Sequence, residues 1–344
     1  MGRSAKIYTR TLNSLGFGLP LWFPEPTDGQ EIQIGDVGGV FNGGFRRLFN
    51  VTLPENHPYN AGGVPENFVP LSLASLIHDR HGHCLSPGAY GSTSVTTVAT
   101  RAKVAGGYIS GSAGAVGYSF SCSDEEGAML LLKSSARSDI LRPNEVLSQY
   151  MKKHHQDWYE LAKSRYHWSC KPEDIILVNG WIKTSQWTVA AFKNKSTGQK
   201  LSISGEFIPI VRAGFHLVMS QDSQMIPEYR SGPGGSCYGL RRALGITPKN
   251  QCIFLSHYKM KYRRWPWAKI KAAAGPASLP DPEREQATNS PIMAGSTGYL
   301  ELPPADCGSD PDEYSGAEVA ITSHSDINAL FKVSDTVQFN FMTK

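Results

Sequence analysis

The apolar positions of this chain fall mostly into short runs, and one stretch repeats them at helical spacing. Between residues 143 and 166, Leu147, Tyr150, Met151, His154, Trp158, Leu161 and Ala162 recur every three or four residues. Lys152, Lys153, Gln156, Asp157, Glu160 and Lys163 fall on the opposite face. Pro143 suits the first turn, and Glu145 suits the positive end of the helix dipole. His154 shares the apolar stripe with Tyr150 and Trp158, so it is expected at the edge of a core, with His155 pointing elsewhere.

The other runs have strand length. IQIGDVGGV and FRRLFNV flank a Gly-rich turn, and YSFSC leads into AMLLL. DIILVNG and QWTVAAF follow the helix and are expected to form a hairpin with each other. LSISGEF should form a second hairpin with QWTVAAF across the basic turn KNKSTGQK, with GFHLVMS after it. Such direct connections leave no room for crossover helices. The expected fold is therefore α+β or mainly β, an antiparallel sheet-rich core with one long packed helix at about 143–166. Its expected domains are a main β-rich domain over 1–280 and an acidic linker and C-terminal segment over 281–344 packing on it.

Composition adds turns to this picture. The 344 residues include 34 Gly and 22 Pro, a share that favours sheets over helical bundles. Prolines 20, 24 and 26 exclude a helix there, and Trp22 and Phe23 are the expected anchors of that rigid segment. The N-terminus lacks the apolar core of a signal peptide, and no run is long and apolar enough for a transmembrane helix. Six cysteines stand apart with no CxxC pair, which reads as free thiols in a reducing compartment. The expected location is the cytoplasm, with any membrane association peripheral.

Charge is segregated along the chain. From Tyr229 to Pro280 there are ten Lys or Arg and no acid, and from Asp281 to Asp326 ten acids and one base. In HYKMKYRRWPWAKIK, His257, Lys259, Lys261 and Arg263 alternate with Tyr258, Met260 and Tyr262, followed by Arg264, Trp265, Trp267, Lys269 and Lys271. Period two puts cations on one strand face and aromatics on the other. Three partners fit: anionic lipid headgroups, with the tryptophans at the interface; nucleic-acid phosphates and bases; or the chain's own core and acidic segment. No zinc finger, helix-turn-helix or RNP motif supports nucleic acid.

Four further features carry candidate chemistry. Residues 92–122 are rich in Ser, Thr, Ala and Gly, contain no acid, and read as a long hairpin about Gly106-Gly107. Each arm is long enough for a membrane-spanning strand, so insertion of this hairpin competes with an ordinary place in a sheet. HDRHGHC groups His78, His81, His83 and Cys84, which are metal-capable but too tightly spaced for all four to converge on zinc. In GPGGSCYGLRRALG, Cys237 lies near Arg241 and Arg242, with His257 or His216 as a distant base. The Gly-rich run at 35–44 matches neither GxGxxG nor GxxxxGK[ST], so no cofactor is implied.

At GLPLWFPEP, IGDVG, FRRLFNV, HHQDWYELA, IILVNG, QWTVAAF and IKAAAGP the chain resembles a group of uncharacterised proteins of mushroom-forming fungi, over most of residues 16–280. The resemblance implies an intracellular origin and brings no known activity. Related chains carry a Gly-Cys-Asp-Lys quartet where this one reads NGWIKTSQW, so no role passes to a cysteine or aspartate there. The leading expectation is a non-enzymatic binding or interaction protein acting at an anionic membrane or by self-association. The alternatives are a pore-forming protein inserting the 92–122 hairpin, a hydrolase or transferase using Cys237, and a nucleic-acid binder.

Overall fold

The computed structural model describes residues 2–101, 116–122, 124–193, 203–209, 215–219, 227–233, 248–262 and 317–322. They form an α+β fold dominated by antiparallel sheet, and nearly all of them belong to one compact unit. The boundary expected at residue 280 lies outside the described residues.

A single ladder runs through three sheets. Strands β7 (Val116–Cys122), β8 (Glu126–Leu132) and β9 (Ala136–Leu141) follow one another with only short joints. Antiparallel to them run β12 (Ile203–Pro209), β11 (Trp187–Lys193) and β10 (Ile176–Thr184), with Cys122 opposite Ile203, Leu132 opposite Trp187 and Arg137 opposite Lys183. On the other side β6 (Val95–Arg101), β5 (Gly88–Gly91) and β4 (His78–Leu85) pair with β7, β8 and β9. Outside the second line lie β13 (Phe215–Met219), β14 (Glu228–Gly232) and β15 (Gln251–Tyr262). At the β9–β10 end, β1 (Leu19–Pro20) and β16 (Ala317–Thr322) join β15, and the hairpin β2 (Asp36–Phe41) and β3 (Gly44–Asn50) joins β10.

This topology corrects two sequence expectations. β10 and β11 are not a hairpin: two residues, Ser185 and Gln186, separate them, and each continues into a different sheet. β11 and β12 are not paired across KNKSTGQK either; they are consecutive segments of one line, on β8 and β7. Turn-like residues between two apolar runs mark a break in the strand as readily as a reversal, and periodicity does not distinguish the two.

The line bends where β8 passes into β9 and β10 into β11. Ser134 cross-links the two bends. Its backbone carbonyl accepts from the Thr184 hydroxyl at 3.0 Å, and its Oγ accepts from the backbone N–H groups of Gln186 at 3.1 Å and Ser185 at 3.3 Å. A sheet that changes direction gives up ladder hydrogen bonds at the corner, and here a side chain replaces them.

Strand β8 explains its unbroken apolar run. Ala128, Leu130 and Leu132 face one cluster, with Val189, Ala191 and Tyr8 and Leu12 of helix α1 (Arg3–Leu12). Met129 and Leu131 face a second cluster, with Phe120, Cys122, Ala190 and Phe192. A strand covered on both faces has no polar side to show, so it loses its alternation. The N-terminal segment, which carries no strong apolar signal, supplies the cover. In α1, Ala5, Ile7, Tyr8 and Leu12 are buried, and Tyr8 meets Trp22 edge-on at 5.3 Å. Trp22 is thus a core anchor as expected, whereas Phe23 is 40% exposed under the Arg230 guanidinium.

The expected helix is α2 (Glu145–Ser164). Asn144 caps it by accepting from the Val146 N–H at 2.7 Å, so Pro143 stands just before the cap rather than in the first turn. Leu147, Met151, Trp158 and Ala162 are buried as expected, and Trp158 meets Phe49 of β3. The core histidine is His155, 1% exposed, not His154. Met151, His155, Trp158 and Ala162 set the phase of the buried stripe, and His154 falls one step outside it. Burial lowers the His155 pKa.

Two measurements check this framework. Ser134→Ala is expected to lower the unfolding free energy by about 1–3 kcal/mol in urea denaturation, because it strands backbone donors at the bend. Ser164→Ala, on an exposed helix end, should change it by less than about 0.5 kcal/mol. The second concerns His257, 5% exposed on β15. Burial, helped by Lys259, depresses its pKa from 6.5 to about 4. The unfolded chain therefore takes up the proton first, so stability held above pH 6.5 drains away as pH falls towards 4. The urea midpoint should drop over that window, and drop less in His257→Leu.

Candidate functional site

The ribbon β6–β7 stands at the end of the ladder farthest along the chain from α2, and its register sorts its side chains into two kinds. Val95, Thr97, Ala99 and Arg101 lie opposite Cys122, Phe120, Tyr118 and Val116 on one face. Thr96, Val98 and Thr100 lie opposite Ser121, Ser119 and Gly117 on the other. β12 extends both sets, with Ile203 and Phe207 opposite Cys122 and Tyr118, and Ser204 opposite Ser121. One face is thus apolar and aromatic over most of its length, the other small and rich in hydroxyls. The turn about Gly106-Gly107 lies outside the described residues.

At its root the apolar face belongs to the core. Val95 and Phe120 are buried with Met129, Leu131 and Phe192, and the rings of Phe120 and Phe192 stack at 4.7 Å. Further along, Ala99 on this face is exposed, and Val98 on the opposite face is 60% exposed. The root is also pinned by charge. Glu126, where β7 gives way to β8, pairs with Arg10 of α1 and with Lys193 of β11 at 3.1 Å. Beside it Ser94 Oγ donates to the Glu126 carbonyl at 3.0 Å. Gly127 is required there, since a Cβ would stand 2.7 Å from Val95 Cγ2 and 2.8 Å from Cys122 Sγ.

The other sequence candidates fall elsewhere. β15 pairs with β10 from Gln251 to Lys259 and, on its other side, with β1 at Phe254 and Leu255. Tyr258 and Met260 are buried, and the Tyr258 hydroxyl accepts from the Asn144 N–H at 2.9 Å, tying β15 to the start of α2. Lys259 is half-buried and Lys261 exposed. Arg263, Arg264, Trp265, Trp267, Lys269 and Lys271 lie outside the described residues, as does Cys237. His257 sits inside the sheet with its Nδ1 unpartnered and, with its lowered pKa, is neutral at pH 7. The described cysteines, Cys84, Cys122, Cys170 and Cys252, are unpaired, and burial raises each thiol pKa, the reverse of what a nucleophile needs.

The HDRHGHC segment is strand β4, with its histidines engaged separately. His78 Nδ1 contacts Asp139 at 2.7 Å, where Arg80 also bonds, and His83 Nδ1 contacts the Ser135 hydroxyl at 3.0 Å beside the bend. Cys84 packs on the core. Strand alternation sends His78 and His81 to opposite faces, and among the described residues no three His, Cys, Asp or Glu groups gather to hold a metal.

Two polar features escaped the sequence reading. Lys183 is 1% exposed, bonds Glu31 at 2.9 Å and lies over the Trp181 ring. Asp36, fully buried, accepts from Arg47 at 2.8 Å and from the Asn50 amide at 2.7 Å, and burial outweighs these bonds to raise its pKa. Both are structural networks, and neither has a sequence signature because the partners come from separate segments of the chain. No protein-family model and no curated protein matches this chain.

Proposed function

We propose that this chain is a non-enzymatic, membrane-active protein of the pore-forming class, in which the β6–β7 ribbon leaves its sheet and crosses the bilayer. The observation that carries this reading is the two-faced register. A membrane-crossing strand needs apolar side chains towards lipid and small polar ones towards a lumen, alternating residue by residue. Val95, Ala99, Phe120, Tyr118 and Val116 supply most of the first set, with Thr97 and Arg101 at the same register, and Thr96, Thr100, Ser119 and Ser121 most of the second, with Val98 among them. The whole 92–122 segment contains no acid, and its two cations are Arg101 and Lys103.

A lone ribbon cannot cross lipid, because its edges would hold unpaired backbone groups in hydrocarbon at a cost of several kcal/mol each. The reading therefore requires several copies that close their ribbons into a barrel. It also requires the root to let go, so the Glu126 pairs to Arg10 and Lys193 act as restraints on the resting form. Among the described residues no helix is long and apolar enough to cross a membrane. Anionic headgroups are the proposed first contact, drawn by the formal charge of +4 and the run of cations from Lys259 onward.

The test fixes the ribbon to its neighbour. Ser121 and Ser204 are directly opposed on β7 and β12, so Ser121→Cys with Ser204→Cys should form a disulfide. The parent is expected to release a trapped dye from phosphatidylcholine–phosphatidylserine vesicles. The oxidised double variant should not, and reduction should restore release. No release by the parent, or full release by a verified cross-linked sample, sinks the reading.

A further inference from the structure

The HDRHGHC segment meets the bend at a corner that the ribbon does not use. Strand β4 carries a bulge there. His81 faces Ser138 and Leu85 faces Ala136, so Gly82, His83 and Cys84 together face one residue of β9, Arg137. The register pairs none of the three. Bulges re-aim side chains, and this one carries His83 Nδ1 to within 3.0 Å of Ser135 Oγ, in the bend between β8 and β9. Lys249, just before β15, reaches the same oxygen with its Nζ at 2.9 Å.

One hydroxyl thereby orients two groups. An ammonium only donates, so Ser135 Oγ accepts from Lys249 and gives its own hydrogen to His83 Nδ1. An imidazole that accepts at Nδ1 carries its hydrogen on Nε2, on the side away from Ser135. His83 is exposed, and Ser135 and Lys249 are half-buried. The space over Gly82 is open: a Cβ built there meets no atom within 4 Å.

The corner is also free of acids. Residues 80–91, 127–138, 180–193 and 248–262, which meet around it, contain no Asp or Glu. The acids that flank these segments are committed elsewhere. Asp139 holds His78 and Arg80, Glu31 holds Lys183, and Glu25 holds Arg230. Among the described residues Lys249 has no carboxylate within ion-pair distance. The neighbouring Cys84 thiol registers the same field: burial raises its pKa, Lys249 lowers it, and no carboxylate acts on it. An ammonium without a counter-ion repels a metal ion and attracts an anion.

We infer that this corner binds a phosphate group, with Lys249 as its counter-ion, His83 Nε2–H and the Gly82 and His83 amides as donors, and the space over Gly82 as its seat. Lysine and unpaired backbone N–H groups are recurrent phosphate partners. The donors come from two separate segments, which suits the spread oxygens of a tetrahedral anion better than the single plane of a carboxylate. A lipid headgroup and a free phosphate present this same group. The inference goes beyond the pore reading and does not rest on it.

The probe is inorganic phosphate, titrated into the full chain at neutral pH and constant ionic strength, and read by calorimetry and by the His83 imidazole resonances. The parent is expected to bind it with a Kd of about 1 mM or tighter, to shift those resonances, and to bind acetate about tenfold more weakly. Lys249→Met should weaken phosphate binding about tenfold, as loss of one charge-assisted contact gives. Lys249→Arg should retain it, and Lys153→Gln, on the exposed face of α2, should change nothing. Gly82→Leu is the steric test. Its Cβ meets no protein atom, so the fold stands, which circular dichroism verifies, and the filled seat should abolish binding. Flotation with phosphatidate-containing vesicles separates the two sources. Vesicle binding lost in Gly82→Leu and Lys249→Met assigns a lipid headgroup, and vesicle binding absent, or unchanged in both variants, assigns a free phosphate. No phosphate binding by the parent, His83 resonances that stay still, or full phosphate binding by Gly82→Leu would each overturn the assignment. Dye release plays no part, so failure of either proposal is read separately.

Discussion

Everything in this protein hangs on the antiparallel pairing of residues 116–141 with residues 180–209, and on the bend that lets the pairing pass from one sheet to the next. Hydrogen bonds across a ladder fix register, and register fixes which side chains share a face. Once Leu132 is opposite Trp187 and Arg137 opposite Lys183, β4, β5 and β6 can add on one side and β15, β14 and β13 on the other. Ser134 stands where that pairing is weakest. Its bonds to Thr184, Ser185 and Gln186 keep the two lines in step through the corner.

The two ends of this ladder have opposite character. At the α2 end, polar groups are buried and answered: Lys183 by Glu31, Asp36 by Arg47 and Asn50, Asn179 by Ser256 and the Leu141 carbonyl. A buried charge pair is expensive to break from one side, so these networks hold one register and one arrangement. At the β6–β7 end most polar groups are hydroxyls, with Arg101 the charged exception on the described strands, and Ala99 of the apolar face meets solvent. Most of the apolar cover is concentrated near the root, at Val95, Phe120 and Phe192.

Much of this was legible in the chain. The long helix and the strands with apolar or alternating runs, such as β2, β3, β6, β7, β8, β10 and β11, were marked by period, whereas β4, read as a polar turn, and the short or polar β1, β5, β9 and β14 were not, and the antiparallel class followed from short connections. The hairpin over 92–122 was visible as alternation in a run without acids. What the pattern could not carry was pairing. QWTVAAF and LSISGEF look like hairpin arms because their join is polar, yet each lies on a different part of one long partner. Helix α1 was overlooked because it is only ten residues long and its mean hydropathy is low, which leaves too few turns for the spacing of Ala5, Tyr8 and Leu12 to stand out.

The sequence alone determined the long helix, the longer apolar strands and many of the breaks between them, because those are local consequences of side-chain spacing and of glycine and proline. It also determined the segregation of charge and the absence of acids from the ribbon. Tertiary structure decided the rest. It sank Tyr258 and His257 into the interior of a sheet, set the histidines of HDRHGHC to separate partners, and gathered His83, Ser135 and Lys249 from three distant segments of the chain. The physical reason is that burial and cross-strand contact depend on which strand lies beside which, and that choice is made by the summed packing of distant segments.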